Sequence, residues 1–282
     1  MDRRAFITVA GGVVAAGLAP LAPLARLDAA PRARDLGIQL YTLRRGMTRD
    51  VERTLARVAE IGYREVEFAG YFDHSPAAVR AMLARHGLRA PASHVPYDRI
   101  GRDWEAALDE AVAVGHEWVV VPWLDAKRLP TVDDWKRVAE RLSAAGAAAR
   151  AAGLRLGYHN HDFELRPVEG RLPLDVLLAE TDAESVDFEL DIYWMVRAGR
   201  DPLEYYARHP RRFRLAHVKD SAGAPEHRMT DVGSGTIDFA RILPAAARAG
   251  TTHFFVEHDD PADPMASARA SFAQLRRIDF RD

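Results

Sequence analysis

The chain of 282 residues contains no cysteine. This absence excludes disulfide bonds, thiolate metal ligands and cysteine nucleophiles. Any metal ion that the protein binds must therefore be held by histidine, aspartate, glutamate or carbonyl oxygen. A chain without thiols also suits an oxidising compartment.

An excess of charge of either sign is lacking as well. Lys and Arg together number 39 and Asp and Glu number 41, which leaves a formal net charge of -2 at pH 7. This near-balance gives no reason to expect nucleic acid or an acidic membrane surface as a partner. Hydrophobic residues make up 48% of the chain and charged residues 28%, the composition of an ordinary globular protein.

The first 30 residues differ from the rest of the chain. The pair Arg3-Arg4 precedes an apolar run over residues 6–24, which is barely long enough to span a membrane and is interrupted by two prolines. We therefore predict a cleaved twin-arginine signal peptide over residues 1–30 rather than a retained membrane anchor. Such a signal is bound by the twin-arginine translocation machinery, so we expect a periplasmic or extracellular protein.

After about residue 35, short β-rich runs alternate with longer helical stretches. Apolar runs of this kind are typical of parallel strands whose outer face is covered by helices. Eight strands are predicted, over residues 37–43, 65–68, 89–95, 118–122, 155–160, 187–192, 214–218 and 253–257.

Helix patterns lie between these runs. Ser75-Pro76 combines an N-cap residue with proline at the first helical position, and Gly87 ends the same pattern. The recognisable helical stretches cover residues 48–62, 75–87, 131–153, 236–250 and 263–277, and Pro244 lies inside the fourth.

Eight strand–helix units predict an α/β fold, a single (β/α)₈ TIM barrel over residues 31–282. The main competitor is a doubly wound open sheet, which carries a Gly-rich fingerprint after its first strand. The corresponding turn here reads Leu43-Arg44-Arg45-Gly46 and lacks that fingerprint. We find no linker or low-complexity stretch that would divide the barrel.

The active site of such a barrel lies at the carboxyl ends of its strands. Six of the eight predicted strands end in Glu, His or Asp. Several carboxylates buried together repel one another and lose hydration, and a divalent cation offsets both costs. His and carboxylate ligands suit Mn²⁺, Fe²⁺, Co²⁺ or Zn²⁺. The alternative is a network of salt bridges that involves Lys219, Arg44 and Arg228.

Residues two apart on a strand share a face. His159 and His161 therefore point the same way, as do Glu189 and Asp191. The candidate metal ligands are one residue from each of the last four strands, namely His159 or His161, Asp191, His217 and Glu257.

Five segments in order carry a resemblance to a known family: residues 157–164 (GYHNHDFE), 190–194 (LDIYW), 217–220 (HVKD), 232–238 (VGSGTID) and 256–259 (VEHD). With them the chain resembles the sugar phosphate isomerase/epimerase family, whose fold is a xylose isomerase-like TIM barrel. The resemblance extends over nearly the whole predicted barrel. It implies a small-molecule sugar as substrate. It also allows a homo-oligomer, because members of this fold often form dimers or tetramers.

The resemblance implies one divalent metal ion bound by Glu, Asp, His and Glu on strands 5 to 8. Asp191, His217 and Glu257 match the last three ligands. His159 stands where the family often has the first glutamate, within the tripeptide His159-Asn160-His161. In the epimerases both glutamates also move the proton, so this chain has one such carboxylate fewer. The exported His-Asn-His branch resembles proteins that act on free or oxidised sugars, including 3-keto-glycosides.

The implied chemistry is of the isomerase/epimerase type. A metal ion, Mn²⁺ first and Co²⁺, Fe²⁺, Zn²⁺ or Mg²⁺ as alternatives, stabilises the enediolate formed when an α-proton leaves the sugar. Glu257 or His161 is the candidate base, and Lys219 is expected to stabilise oxyanion charge or donate a proton. Four further residues are expected to bind substrate, hydroxyl groups at Glu67 and His94 and the apolar sugar face at Trp123 and Trp194.

Several alternatives stay open. The enediolate leads to isomerisation, to epimerisation, or to loss of a β-substituent as in a dehydratase, a lyase or a glycoside-cleaving enzyme. An exported sugar-binding protein with a residual metal site is a non-catalytic alternative. A metal-dependent endonuclease on the same barrel is disfavoured by the balanced charge. Gly233-Ser234-Gly235 precedes a helix and is interpreted as an anion site or, more simply, as a turn.

Overall fold

The computed structural model describes residues 36–279. The predicted signal peptide, residues 1–30, lies outside the described residues, as do the first five residues of the predicted barrel domain. No helix between residues 36 and 279 is long and apolar enough to cross a membrane.

Eight parallel strands close into a barrel, in which each strand pairs with the next and the last pairs with the first. The strands are β1 Gly37–Gln39, β2 Glu65–Phe68, β3 Arg89–His94, β4 Trp118–Val121, β5 Arg155–His159, β6 Val186–Asp191, β7 Phe213–Val218 and β8 His253–Val256. The predicted single (β/α)₈ barrel is thereby confirmed. A short antiparallel ladder, Asp220–Ser221 with Met229–Thr230, follows β7.

Helices surround the barrel. They are α1 Arg44–Arg49, α2 Val51–Ile61, α3 Pro76–His86, α4 Trp104–Val114, α5 Val132–Ala151, α6 Pro173–Glu180, α7 Ile192–Arg197, α8 Pro202–Arg208, α9 Phe239–Ala249 and α10 Pro264–Leu275. The sequence patterns predicted α2, α3, α5, α9 and α10, whereas α4 and the short helices α6, α7 and α8 were not singled out.

The first strand is shorter than predicted. It ends at Gln39, and Leu40–Leu43 forms a 3₁₀ turn instead of continuing the strand. The Gln39 side chain accepts a hydrogen bond from the Tyr41 backbone N–H at 3.0 Å, which turns the chain. A short apolar run cannot be assigned to strand or buried turn from periodicity alone.

Two apolar layers form the core. The larger lies between the strands and the helices, and a small cluster lies inside the barrel. Phe255 of this inner cluster packs edge-on against His217, with ring centroids 6.3 Å apart. The inner cluster consists of Ala92, Trp118, Val120, Leu215 and Phe255, and the polar strand ends lie above this apolar floor.

Helix α5 approaches the chain before β6 so closely that one position must be glycine. A Cβ atom at Gly146 would overlap the Ser185 carbonyl oxygen and lie 3.0 Å from its carbonyl carbon. Helix propensity alone would favour alanine there by about 1 kcal/mol. The steric overlap between that Cβ atom and the Ser185 backbone, which cannot easily move, opposes this gain in helix stability.

We predict that Gly146→Ala lowers the free energy of unfolding by about 2 kcal/mol, because the backbone of α5 must move away from Ser185. Urea denaturation of the parent and the variant measures the change. Ala147→Gly, an exposed position of the same helix, is the control and should cost about 1 kcal/mol through helix propensity alone. A stabilised Gly146→Ala protein would show that the close contact carries no cost.

Candidate metal centre and active site

The last four strands deliver the predicted metal ligands to one place. His159 and Asp191 are the final residues of β5 and β6, His217 is the penultimate residue of β7, and Glu257 follows β8 directly. Ligand atoms of Asp191, His217 and Glu257 all lie within 4.8 Å of one another. His159 Nε2 lies 3.7 Å from Asp191 Oδ2. The structure thus brings the four predicted ligands together.

The geometry of this group fits a divalent cation. His217 Nδ1 lies 2.7 Å from Glu257 Oε2 and 3.9 Å from Asp191 Oδ2. Within the described chain neither His217 Nδ1 nor Asp191 Oδ2 makes a hydrogen bond of good geometry, although both are buried, and their near neighbours are the charged groups of Glu257 and Lys219. Buried polar atoms in proteins almost always have a hydrogen-bond partner or a bound ion. These two atoms are therefore candidates to bind a metal ion. Ligands about 2.1 Å from a common ion are separated by distances of this order, and the N and O donors suit Mn²⁺, Fe²⁺, Co²⁺ or Zn²⁺.

Glu67 acts on His217 from the opposite side. Its Oε2 accepts hydrogen bonds from His217 Nε2 at 2.7 Å and from Gln39 Nε2 at 2.8 Å. A carboxylate on the far nitrogen of a ligating histidine fixes the ring and its tautomer. Glu67 is completely buried and does not line the cavity described below. Its predicted contact with substrate hydroxyls is therefore replaced by a role in positioning His217.

Glu189 is a site residue that the sequence analysis did not assign. Its Oε2 lies 3.1 Å from His94 Nε2, His159 Nδ1 and His217 Nε2. These four residues form a second group with ligand spacing, which shares His159 and His217 with the four predicted ligands. The alternation of β6 placed Glu189 on the same face as Asp191, but it did not reveal how far below the strand end the carboxylate interacts.

Lys219 is a buried cation among carboxylates. Its Nζ lies 3.1 Å from Asp191 Oδ2, 2.8 Å from Glu257 Oε2 and 3.0 Å from Asp259 Oδ1. Burial alone would lower the pKa of Lys219, but these carboxylates outweigh it and hold the pKa well above its usual value. In turn, Lys219 and His217 overcome the burial of Glu257 and hold the pKa of that carboxyl well below its usual range.

The histidines of the site differ in charge. Burial, helped by the charge of His217, lowers the pKa of His159 to about 3, so its imidazole is neutral and its lone pair is free to ligate. Burial opposes a charge on His217 as well, but Glu189 and Glu257 raise its pKa well above the usual value. A positive charge, proton or metal ion, is therefore favoured between His217 and the carboxylates. Burial raises the pKa of Asp191 to about 6.

His161 lies beside the metal ligands without joining them. Its ring centroid is 4.9 Å from that of His159 and 5.3 Å from that of Trp194, and it stacks on Phe163 at 5.6 Å. Its Nδ1 has no hydrogen-bond partner in the described part of the chain. Between the two histidines that the sequence left open as ligands, the geometry favours His159 and leaves His161 facing the cavity.

A cavity of about 480 Å³ opens above this cluster. Six of the predicted site residues line it: His94, Trp123, His159, His161, Lys219 and Glu257. Tyr41 and Asp259 also line the cavity and were not predicted, although Asp259 belongs to the VEHD segment. Asp191, His217, Glu67 and Trp194 do not line it.

Trp194 is therefore not placed to cover a sugar face as predicted. Its ring packs behind His161, with the Arg197 guanidinium 4.9 Å from the ring centroid and Lys219 Nζ 5.7 Å from it. It is the third residue of α7, which turns away from the cavity after β6. Trp194 supports His161 and Lys219 from outside the cavity.

The turn at Gly233-Ser234-Gly235 binds the side-chain carboxylate of Asp220, an anionic group of the same chain. Asp220 Oδ2 accepts hydrogen bonds from the backbone N–H groups of Gly233 at 2.8 Å and Gly235 at 3.0 Å. Its Oδ1 accepts from Ile237 N–H at 3.2 Å. A Cβ atom at Gly235 would overlap Asp220 itself. Hydrogen bonds between the HVKD segment and the VGSGTID segment thus hold the loop after β7 in place.

Replacing Asp220 by asparagine should lower the free energy of unfolding by about 3 kcal/mol, because an amide has no charge and only one acceptor oxygen, so its NH2 group faces backbone N–H donors of this turn. Chemical denaturation measures the loss. Asp260→Asn is the matched control, because the Asp260 side chain is 75% exposed and its ion pairs with Arg44 and Arg45 contribute little. Equal stability of the two variants would contradict a structural role for Asp220.

Comparisons with known proteins agree with this fold. A family model described as xylose isomerase-like TIM barrel matches residues 55–278. Inosose dehydratase from Lacticaseibacillus casei is 24% identical over 249 residues, which cover 75% of this chain and 83% of that protein. A crystal structure of a sugar phosphate isomerase/epimerase from Parabacteroides distasonis is 26% identical, has a TM-score of 0.78 and aligns over 94% of this chain and 100% of its own.

A crystal structure of the IOLI protein with a bound zinc atom shares the fold, with a TM-score of 0.70 and 15% identity over 86% of this chain and 96% of its own. The resemblance inferred from the sequence motifs is confirmed by the family match and these relatives. The chain belongs to the xylose isomerase-like TIM barrel family.

Proposed function

We propose that the protein is a divalent-metal-dependent enzyme of the isomerase/epimerase type that removes an α-proton from a free or oxidised sugar. The observation that carries the proposal is the convergence of Asp191, His217 and Glu257 beneath an open cavity, with buried atoms that lack hydrogen-bond partners within residues 36–279. His159 supplies a fourth, neutral ligand. The zinc atom of the IOLI structure and the sugar-modifying activities named for the relatives support this proposal.

A divalent ion held by His159, Asp191, His217 and Glu257 would act as a Lewis acid for negative charge on the substrate oxygens as the α-proton leaves. Glu257 lines the cavity, and its lowered pKa keeps it ionised and able to accept that proton. Lys219 Nζ, 2.8 Å from Glu257 Oε2, offers positive charge to a substrate oxyanion.

His161 is the second group that can move a proton. Burial lowers its pKa well below the usual value, so the imidazole is neutral, and its Nδ1 is not engaged by any described residue. A carboxylate at Glu257 and a neutral imidazole at His161 thus both face the cavity. When Glu257 removes the α-proton, His161 can return one by giving up its N–H proton while its other nitrogen takes up a proton from solvent water. This exchange gives isomerisation or epimerisation without the second carboxylate that His159 has replaced.

Dehydration is the second candidate outcome. It is favoured by the inosose dehydratase activity named for the relatives, of which this chain covers most of the length. In that reaction the base removes the α-proton, the electron pair forms the carbon–carbon double bond, and the leaving hydroxyl takes a proton to depart as water. Lys219 is the proposed proton donor for this step. It lines the cavity, and its Nζ lies 3.0 Å from Asp259 Oδ1.

Export by the twin-arginine machinery and a periplasmic or extracellular location are part of the proposal and are supported by the Arg3-Arg4 pair and the apolar run that follows it. The small-molecule sugar is the proposed partner, and no nucleic acid is expected because the net charge is only -2. Assembly into a homo-oligomer also stays a proposal.

Elemental mass spectrometry of the purified protein should find about one Mn, Co, Fe or Zn per chain, because the ligand set suits these ions. Asp191→Ala and His217→Ala should lose the metal. Glu67→Gln keeps every ligand but loses the carboxylate that orients His217, so its metal affinity should fall roughly 10- to 100-fold. Asp260→Asn is the control that should keep parental metal content. A parent chain without metal after incubation with Mn²⁺ would refute the metal site.

Proton removal is measured directly by deuterium exchange. Incubation with ketoses and keto-sugars in D₂O and Mn²⁺ should introduce deuterium next to the carbonyl, as followed by NMR. Glu257→Gln should reduce the exchange at least about 100-fold if Glu257 is the base. His161→Gln should retain exchange at one face but lose product formation. Product mass separates the outcomes, because dehydration removes one water and isomerisation or epimerisation removes none.

A protein that binds these sugars but exchanges no proton would be a sugar-binding protein rather than an enzyme. Metal content then decides whether the metal site itself is retained.

A further inference from the structure

A second cavity, of about 680 Å³, lies between the helices that follow β1 and the helix that follows β8. It shares no lining residue with the cavity above the metal ligands. Its lining comes from α1, α2, the residues next to these helices, and the start of α10. We call this cavity the arginine groove, and its charged lining residues are Arg45, Arg49, Arg53, Arg57, Asp50 and Asp263.

A tight corner between α1 and α2 brings the four arginines to one cavity. Asp50 forms the corner, because its backbone N–H donates to the Gly46 oxygen at 2.9 Å and its carboxylate accepts from the Arg53 N–H at 2.9 Å. A Cβ atom at Gly46 would lie only 3.0 Å from Thr54 Oγ1, so the glycine lets the two helices approach each other closely. The arginine pair of α1 therefore lines the same cavity as the arginine pair of α2.

The positive charge of the groove is not balanced by its own carboxylates. Arg45 lies 3.4 Å from Asp260, and the other three arginines make no ion pair with any residue of the described chain. Both lining aspartates are occupied as helix caps, since Asp50 accepts a backbone N–H of α2 and Asp263 accepts two of α10. Four positive charges less two negative charges leave a lining charge of +2.

Repulsion within each helix adds to this imbalance. Arginines four residues apart on one helix face lie next to each other, and like charges at this spacing destabilise the helix. Arg45 and Arg49 form one such pair on α1, and Arg53 and Arg57 form the other on α2. All four side chains belong to exposed residues, so a dissolved ligand can reach them. An anion bound in the groove would relieve the repulsion in both pairs.

We propose that the arginine groove is a second ligand site, which binds a small polyvalent anion, a molecule with two or more phosphate or carboxylate groups. A guanidinium group forms paired hydrogen bonds with either kind of group. A volume of about 680 Å³ is within the range of small-molecule sites. Because the whole chain carries a net charge of only -2, the local excess of positive charge directs an anion to this groove. The inference does not depend on the proposed sugar chemistry.

Calorimetric titration of the intact protein with pyrophosphate and with succinate, at low ionic strength, tests the groove. At least one of these two probes should bind, and its binding should weaken as the ionic strength rises. The double variant Arg53→Gln/Arg57→Gln should bind that probe roughly tenfold more weakly, because two of the four guanidinium groups are lost. Absence of binding by both probes overturns the proposal, also where the protein sediments with phosphatidylglycerol vesicles, since the groove would then face a membrane surface.

The matched control is Arg171→Gln/Arg241→Gln, which removes two charges from exposed arginines that do not line the groove. This variant should keep parental affinity for the probe. An equal loss of affinity in both double variants would reflect general attraction between charges and would overturn the proposal. Asp191→Ala, which alters the metal site alone, should bind the probe as the parent does, so the outcome for the groove is separate from the outcome for the metal.

Discussion

The structure depends on keeping several carboxylates buried near the carboxyl ends of the barrel strands. Glu67, Glu189, Asp191 and Glu257 are at most 6% exposed, and each would lose its hydration without compensation. Compensation comes from cations that the neighbouring strands supply. Lys219 contacts two of these carboxylates, and His217 contacts all four through its two nitrogens. The barrel can present them together because β2, β6 and β8 all end at the same side, with Glu189 and Asp191 both on β6.

His217 occupies the centre of this charge balance. Its Nε2 is bonded to Glu67 below, while its Nδ1 faces Asp191 and Glu257 near the cavity. The apolar floor of the barrel supports the ring from Phe255. A rotation of this one imidazole would leave carboxylates unpaired on both levels. The orientation of His217 therefore connects the packing of the barrel interior to the chemistry at its mouth.

Much of the fold was accessible from the sequence because two simple periodicities coincide. Apolar strands recur at intervals long enough for a covering helix, and polar residues recur at the strand ends, so the barrel and the convergence of Asp191, His217 and Glu257 could both be predicted. The alternation of side chains along each strand also predicted which residues face the barrel interior. Alternation does not show how deep a side chain lies along the barrel axis. For this reason Glu67 was predicted to bind substrate hydroxyl groups, and Glu189 was given no role.

Contacts between segments that are distant in sequence were the second feature that could not be predicted. The glycines of residues 233–235 indicated a turn with free N–H groups, but nothing local showed that Asp220 accepts them. Trp194 was an aromatic residue next to a ligand in sequence, and only the turn into α7 shows that its ring lies behind His161. The short β1 reflects a side-chain hydrogen bond of Gln39 that competes with the strand.

The position of the proton donors around the cavity constrains the reaction more than the ligand set does. Proton removal next to a carbonyl is the first step of isomerisation, epimerisation and elimination alike, and the ligands around His217 serve all three. What separates them is the group that reaches the neighbouring carbon after the proton has left. Lys219 and His161 line the cavity after different strands, β7 and β5, so the position of a substrate in the cavity determines which of the two groups lies near its reacting carbon.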